Sequence, residues 1–261
     1  MTGREKIRCK GLSYVYLTRA GEILALQNLA LSVLEGEFCS IVGPSGCGKS
    51  TLLSIISGLI QPTEGEVLFD GKPIRGTNGR IGFLLQKDHL FEWRTVLQNA
   101  ELGLEILGKS TTEARSQAHK MLASYGLGGF ENSYPYQLSG GMRQRVALVR
   151  TLTTDPDIML LDEPFSALDY QTKLILEREV HGAIRASRKT ALLVTHDIEE
   201  AVSMSDRVVV LSGRPAQVKN VYDIVLSVGK ERTPMTSRDA PEFRGYCRSI
   251  WEDLDIERRT L

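Results

Sequence analysis

Nine consecutive residues have the types and spacing needed to bind a phosphate group. They are Gly43-Pro44-Ser45-Gly46-Cys47-Gly48-Lys49-Ser50-Thr51, of the form G-x-x-x-x-G-K-[ST]. The apolar run Phe38–Val42 precedes them and a helix-like run, Thr51–Leu59, follows. In such a strand–loop–helix unit, the loop amides and the positive end of the helix attract an anion. Lys49 would reach the β- and γ-phosphates of a nucleotide, and the Ser50 hydroxyl would contact Mg²⁺.

Polar side chains also follow three other apolar runs. They are Gln86 after Ile81–Leu85, Asp162 and Glu163 after Ile158–Leu161, and His196 after Thr190–Thr195. Open α/β sheets bind ligands beyond the carboxyl ends of their strands. We therefore expect these side chains to converge with the phosphate loop on one crevice.

Each of these side chains suits a step of phosphoryl transfer to water. Asp162 is a hard oxygen ligand for Mg²⁺, held directly or through water. Glu163 is placed to polarise the attacking water. Gln86 could contact the metal or that water, and His196 could contact the γ-phosphate or order Glu163. The alternative, that both acids cap a following helix, fits Pro164 poorly.

A second anion-binding pattern lies further along the chain. Leu138-Ser139-Gly140-Gly141 directly precedes an amphipathic basic helix predicted over Met142–Thr153. The Ser139 hydroxyl and the amides of Gly140 and Gly141 can donate to phosphate oxygens. Flexible linkers also contain such runs, but a basic amphipathic helix does not follow them at once.

Two tyrosines end the first predicted strand, Ile7–Tyr16, and either could stack on an adenine ring. Strand alternation places Tyr14 and Tyr16 on the same face, where at least one of them packs within the sheet. The residues alone leave the choice between them open.

Composition sets limits on the class of protein. The 261 residues are 42% hydrophobic and 25% charged, and 32 basic residues balance 32 acidic ones. This balance argues against a nucleic-acid-binding footprint. The uncharged runs are too short to span a bilayer. The charged segment Met1–Lys10 lacks the apolar core of a signal peptide, so we expect a cytosolic protein.

The four cysteines, Cys9, Cys39, Cys47 and Cys247, show no C-x-x-C spacing and no nearby histidine. We expect neither a zinc site nor disulfides. Cys47 lies near a helix N-terminus, where a thiol pKa can fall. A small residue packed in a tight loop is the favoured interpretation of Cys47.

The chain is predicted to form one α/β domain over residues 1–261. Residues 1–90 and 155–230 form the nucleotide-binding core, which begins with antiparallel strands at Ile7–Tyr16 and Leu24–Val33. Residues 91–154 show helical periodicity and form an insertion. Residues 231–261 form a short, partly helical tail, with Trp251 and Leu254 expected to anchor it.

In their order, these motifs resemble those of ABC-transporter ATPase subunits. The order is the phosphate loop, Gln86, Leu138-Ser139-Gly140-Gly141, Asp162-Glu163, Ser166-Ala167-Leu168-Asp169 and His196. The resemblance covers about residues 5–230. It implies a P-loop NTPase core with a mixed sheet, an N-terminal antiparallel β-subdomain and an inserted helical subdomain. It also implies binding of ATP and Mg²⁺.

The same resemblance implies partners. Two chains would form a head-to-tail dimer, in which Ser139 and Gly141 of one subunit bind the γ-phosphate held by Lys49 of the other. Asp169 would line this interface, and Tyr16 would be the adenine-stacking aromatic. Membrane permease subunits, and indirectly a solute-binding protein, would complete an importer at the cytoplasmic face of the plasma membrane.

The subtype most resembles the importer ATPases for nitrate, sulfonates and taurine. The segments Trp93–Val96, Tyr136–Met142 and Thr195–Ala201 carry this likeness. The run Lys87–Trp93 departs from the usual pattern in a region that resembles the permease-facing surface. Other transporter classes (amino-acid, lipoprotein or export type) and a non-transport ABC ATPase are the alternatives. Leu138–Gly141 argues against a P-loop kinase or GTPase.

Overall fold

The computed structural model describes residues 3–19, 21–166, 168–229 and 231–255. The strands are β1 (Glu5–Thr18), β2 (Gly21–Leu34), β3 (Phe38–Val42), β4 (Glu64–Phe69), β5 (Lys72–Pro73), β6 (Ile81–Leu84), β7 (Ile158–Asp162), β8 (Thr190–Thr195), β9 (Arg207–Leu211) and β10 (Val218–Asp223). The α-helices are α1 (Lys49–Ile56), α2 (Val96–Ile106), α3 (Thr112–Ser124), α4 (Gly140–Leu152), α5 (Tyr170–Ala186), α6 (Ile198–Met204), α7 (Pro234–Arg238) and α8 (Phe243–Asp255), with a 3₁₀ turn at Pro135–Gln137.

The larger sheet is mixed, and the predicted site residues follow the carboxyl ends of its strands. Its strand order is β10-β9-β3-β8-β7-β6, in which β10 pairs antiparallel and the other neighbours pair parallel. Strands β3, β7 and β8 are buried at every residue, as expected for a parallel sheet covered on both faces. Their carboxyl ends therefore meet at one edge, where the predicted strand-end residues emerge.

The smaller sheet is antiparallel and has the order β2-β1-β4-β5. Strands β1 and β2 are longer than predicted because their pairing continues from Tyr16 opposite Ile23 to Thr18 opposite Gly21. The inner residues of this sheet share one hydrophobic core with α1, including Leu12, Leu26 and Leu52. This shared core fixes the small sheet beside the phosphate loop.

Helices α2, α3 and α4 lie between β6 and β7 in the chain, where the sequence predicts a helical insertion. They pack on a second core with the other face of the large sheet, through residues such as Leu122, Val149 and Leu161. Helix α4 begins at Gly140, two residues before the predicted start, because Ser139 caps it. Together, the two sheets and this insertion confirm the predicted α/β fold class.

The C-terminal helices pack on a third core that includes Phe243 and Ile250, with Leu254 partly buried against it. The predicted anchoring role of Leu254 is therefore confirmed. The same prediction for Trp251 is wrong, because its side chain is 55% exposed. Ile250 takes the inward position, and Leu254 follows one turn later on the same face, so Trp251 is turned away. No helix in the described part of the chain is long and apolar enough to cross a membrane.

Candidate active site

The phosphate loop connects β3 to α1 and is held by its own backbone. Gly48 has φ +130°, and a methyl group there would lie 2.9 Å from Leu26 Cδ2. Only glycine fits this close approach. The Lys49 ammonium donates to the carbonyl oxygens of Gly43 at 2.8 Å and Pro44 at 3.0 Å. These contacts fold Lys49 over the loop.

The loop residues differ in their access to solvent. Ser45, Gly46 and Ser50 are exposed, whereas Cys47 is buried and only 2% accessible. Burial of Cys47 agrees with the interpretation that it is a packing residue. Cys39 is likewise buried within β3, where burial raises the pKa of its thiol to about 12.

The predicted metal ligands Ser50 and Asp162 lie side by side. Asp162 ends β7, and its Oδ1 accepts a hydrogen bond from the Ser50 hydroxyl at 3.2 Å. Burial raises the pKa of the Asp162 carboxyl, and the neighbouring Glu163 charge adds to this effect. The Ser50 hydrogen bond and the Lys49 charge oppose the rise in pKa. A carboxylate and a hydroxyl are hard oxygen donors, which suit Mg²⁺.

Glu163 and His196 form a pair next to Asp162. His196 Nδ1 lies 3.0 Å from Glu163 Oε2. Glu163 has φ +45°, a conformation that is uncommon for a residue with a side chain. Its amide donates to the Val194 carbonyl at 2.8 Å, which ties this backbone to β8. Strain of this kind persists where the surroundings fix it, and it occurs often at functional sites.

Gln86 joins this group through a serine. Its side-chain amide donates to Ser166 Oγ at 3.2 Å, and that hydroxyl donates to the Glu163 carbonyl at 2.9 Å. The structure thus brings Gln86 to the Glu163 turn. Among the described residues, no hydrogen bond joins Gln86 directly to Ser50 or Asp162.

The structure distinguishes the two tyrosines of β1. Their rings meet edge to face, with centroids 4.8 Å apart, so they do share a face. Tyr14 packs against the first hydrophobic core. Tyr16 is 41% exposed, and its hydroxyl lies 3.0 Å from Thr51 Oγ1 at the start of α1. Tyr16 is therefore the tyrosine with a free ring surface beside the phosphate loop.

Ser139 and Gly140 are exposed at the start of α4. The Ser139 Oγ accepts from the Met142 amide at 3.3 Å, and Asp169 caps α5 by accepting from the Thr172 amide at 3.0 Å. A methyl group on Gly141 would lie 2.7 Å from Thr172 Cγ2, so glycine allows α4 and α5 to begin side by side. Within the described ranges, no hydrogen bond or ion pair links residues 139–141 to Lys49 or Ser50. Ala167, part of the motif that ends at Asp169, lies outside the described residues.

Comparison with known proteins identifies the family. Residues 26–166 match the family described as ABC transporter. The chain belongs to this family. It is therefore an ATP hydrolase coupled to transport, the nucleotide-binding subunit of a transporter.

Individual relatives span nearly the whole chain. The uncharacterized ABC transporter ATP-binding protein MJ0412 of Methanocaldococcus jannaschii is 48% identical over 97% of this chain and 92% of that protein. The taurine import ATP-binding protein TauB of Yersinia pestis is 44% identical over 91% of this chain and 94% of its own. A solved dimeric structure of the ATP-binding cassette MJ0796, in a post-hydrolysis state bound to ADP and Pi, is 35% identical. The two structures superpose with a TM-score of 0.74, and the match covers 84% of this chain and 99% of the MJ0796 chain.

Sequence reasoning missed one contact of this ABC ATPase with its phosphate loop. Arg214, between β9 and β10, donates through Nε and Nη2 to the Gly46 carbonyl at 3.2 and 2.7 Å. The sequence shows only the turn signal Ser212-Gly213-Arg214 at this point. Nothing in that signal points to the loop, which lies 168 residues away.

A second missed feature ties the segment after Gln86 to the helix that follows Ser139. Arg143 of α4 binds Asp88 through two hydrogen bonds, of 2.9 and 3.1 Å, and reaches Glu92 at 2.7 Å. Arg150, two turns further along α4, donates to the Asp88 carbonyl at 2.6 Å. The acidic residues of Lys87–Trp93, Asp88 and Glu92, thus have partners within the ABC cassette.

Proposed function

We propose that this chain powers the import of a small solute of the nitrate, sulfonate or taurine class through a membrane permease. One observation carries the hydrolytic part of the proposal: Ser50–Asp162 and Glu163–His196 meet at one edge of the sheet. The likeness to a taurine import ATP-binding protein over most of both chains supports the solute class. In this proposal the chain binds peripherally at the cytoplasmic face of the plasma membrane.

The residues of the chain divide the work of hydrolysis. Residues 43–51 hold the phosphates through loop amides, the Lys49 ammonium and the Ser50 and Thr51 hydroxyls, and the Tyr16 ring stacks on adenine. Glu163 accepts the proton of the attacking water. His196, 3.0 Å from the Glu163 carboxylate, fixes its direction and contacts the γ-phosphate. Gln86, which is joined to the Glu163 turn through Ser166, positions the water.

Magnesium fits the donors present beside the loop. The Ser50 hydroxyl and the Asp162 carboxylate would hold the ion, with Gln86 as a further ligand. When bound, Mg²⁺ would neutralise charge on the phosphates. Asp162 is 9% exposed and shielded by the sheet, so its carboxylate is a fixed ligand that needs little reordering.

A head-to-tail dimer would complete the site. Ser139 and Gly140 are exposed at the start of α4, and with Gly141 they would form a second anion-binding turn. Asp169 sits beside this turn, at the start of α5. The similar MJ0796 cassette is a dimer, which supports this arrangement. In the dimer, each turn would bind the γ-phosphate held by the partner's loop.

A surface on the helical insertion suits a permease. The rings of Phe91 and Trp93 stack with centroids 4.8 Å apart, and Trp93 is 73% exposed. Tyr134 and Tyr136 form a second stacked pair, with centroids 5.8 Å apart, and Tyr136 is 72% exposed. Exposed aromatic pairs of this kind are typical of protein interfaces. The permease would in turn receive its solute from a solute-binding protein.

The proposed base is tested with Glu163→Gln, which keeps the shape of the side chain but cannot accept the proton. We expect ATP hydrolysis to fall about 100-fold or more, while an ATP-bound dimer accumulates on size exclusion. Glu113→Gln, a change of the same type on the exposed start of α3, is the control. It should leave the rate of ATP hydrolysis and the amount of ATP-bound dimer unchanged. Parent-like turnover in Glu163→Gln would contradict the assignment.

The transport part is tested by purifying the chain from native membranes in mild detergent. We expect an integral-membrane permease to copurify with the chain. Trp93→Ala should weaken that association and leave the ATPase activity of the isolated chain unchanged. Recovery of nucleic acid or ribosomes instead of a permease would favour a non-transport ABC ATPase. Uptake of labelled taurine or nitrate by the reconstituted complex then tests the solute class.

A further inference from the structure

A partly buried ion cluster adjoins His196. Lys173 of α5 places its ammonium 2.6 Å from Asp197 Oδ2 and 2.8 Å from Glu200 Oε2. Asp197 follows His196 in the chain and caps α6 by accepting from the Glu200 amide at 3.1 Å. Lys173 therefore contacts both the first residue after His196 and the helix that this residue begins.

The cluster extends to the C-terminal tail. Glu177, one turn after Lys173, is fully buried and lies 3.8 Å from the Lys173 ammonium. Arg238 at the end of α7 donates to Glu177 Oε2 at 2.7 Å. We define the Lys173 cluster as Lys173, Glu177, Asp197, Glu200 and Arg238.

The carboxylates of this cluster depend on its two cations. Glu177 and Glu200 are 0% and 2% exposed, and one carboxyl oxygen of each lacks a hydrogen bond. Burial raises the pKa of Glu200 to about 7 and also raises that of Glu177. Burial disfavours the charged form of Lys173, but the charges of Glu200 and Asp197 outweigh it, so the pKa of Lys173 rises. Loss of Lys173 would leave Glu200, and loss of Arg238 would leave Glu177, without the cation that lies within hydrogen-bonding distance of its carboxylate.

The cluster also borders the candidate active site. A cavity of about 240 Å³ is lined by Glu163 and His196 and also by Lys173, Asp197 and Glu200. The ion pairs of Lys173 therefore form a wall of the space in which Glu163 meets His196. A shift of Asp197 would be passed to His196 through a single peptide bond.

We propose that Lys173 is a positioning residue for ATP hydrolysis, which holds His196 against Glu163, and that Arg238 links the C-terminal tail to the same support. The inference rests on the proposed roles of Glu163 and His196. Lys173 acts through Asp197, and it does not take part in proton transfer. Displacement of a catalytic contact by about 1 Å can cost about 100-fold in rate.

The test compares Lys173→Met with Lys173→Arg in ATPase assays. We expect Lys173→Met to lower kcat about 10- to 100-fold, with KM for ATP changed less than about twofold, because the phosphate loop is untouched. Lys173→Arg keeps the charge and should recover most of kcat. Arg238→Met should lower kcat in the same direction but less. Lys189→Met is the matched control, since Lys189 also forms a part-buried ion pair, 2.7 Å from Asp155, but away from the site.

A second variant keeps the test decisive if Lys173→Met does not fold. The double variant Lys173→Met with Glu200→Gln removes the cation together with the buried carboxylate of Glu200 that it pairs with. Because no buried charge of this pair is left alone, the double variant should fold. We expect it to stay slow, because Asp197 is still unsupported. Parent-like kcat in either folded variant would overturn the inference. Glu163→Gln separates the two proposals: if it is inactive while Lys173→Met is fully active, the base assignment stands and the positioning role fails.

Discussion

Glu163 and His196 lie 33 residues apart in the chain, yet Glu163 Oε2 and His196 Nδ1 are 3.0 Å apart. The contact arises because β7 and β8 pair in parallel and both end at the same sheet edge, with Asp162 opposite Val194. Each residue is the first after its strand. The geometry therefore follows from register rather than from any local motif.

Replacement of His196 by alanine removes this contact without touching the phosphate loop. We expect kcat for ATP hydrolysis to fall about 100- to 10,000-fold, the usual range for loss of a group that assists proton transfer, with little change in KM. Steady-state ATPase kinetics measure both. His119→Ala, on the exposed side of α3, is the control. A fall in affinity without a fall in kcat would contradict the role.

Asp162 is expected to hold the metal, so Asp162→Asn should raise the Mg²⁺ concentration needed for half-maximal hydrolysis at least tenfold. Ser50→Ala should shift it in the same direction by a smaller factor, because a neutral hydroxyl is the weaker ligand. Chelation of divalent cations with EDTA should abolish turnover in the parent. Mg²⁺ titrations at saturating ATP check these expectations, and activity that survives EDTA would refute them.

Arg214 holds the phosphate loop through the Gly46 carbonyl, so Arg214→Ala should loosen the loop. The side chain is exposed, and we expect a rise in KM for ATP of only about two- to fivefold, as for loss of a solvent-screened hydrogen bond. Arg244→Ala on the exposed face of α8 serves as the control. Equal KM values for the two variants would show that the loop does not need Arg214.

His181 makes stability depend on pH in a defined direction. It is 3% exposed beside Phe38, and burial, with the charges of Arg185 and Arg232, lowers its pKa from 6.5 to about 4. Between these values the unfolded chain binds more protons than the folded one, so stability is lost as pH falls from about 6.5 to 4. The shift corresponds to about 3 kcal/mol.

Urea unfolding of the parent and of His181→Gln at several pH values tests this expectation. The difference in stability between the two should narrow as the pH falls from 6.5 to 4, because only the parent loses the histidine contribution. Taking the difference cancels other groups, such as Glu200, whose raised pKa acts in the opposite direction. A difference that is constant with pH would show that His181 is not held neutral.

Much of the site was predictable because it depends on short-range patterns. The strand–loop–helix spacing around Lys49 and the polar residues that end apolar runs follow from local sequence. The parallel sheet then converts these strand ends into neighbours. The same reasoning failed for Trp251, where two adjacent apolar residues compete for one helix face and only packing selects Ile250.

The sequence by itself determined the phosphate loop, the strand-end acids and the α/β class, because each depends on residue types at fixed local spacing. Only the tertiary structure decided which tyrosine is free, that Arg214 reaches Gly46, and that Lys173 supports the residue after His196. These are contacts between segments far apart in the chain. Packing and the pairing of buried charges select the partners in these contacts. Residue spacing along the sequence predicts neither of them.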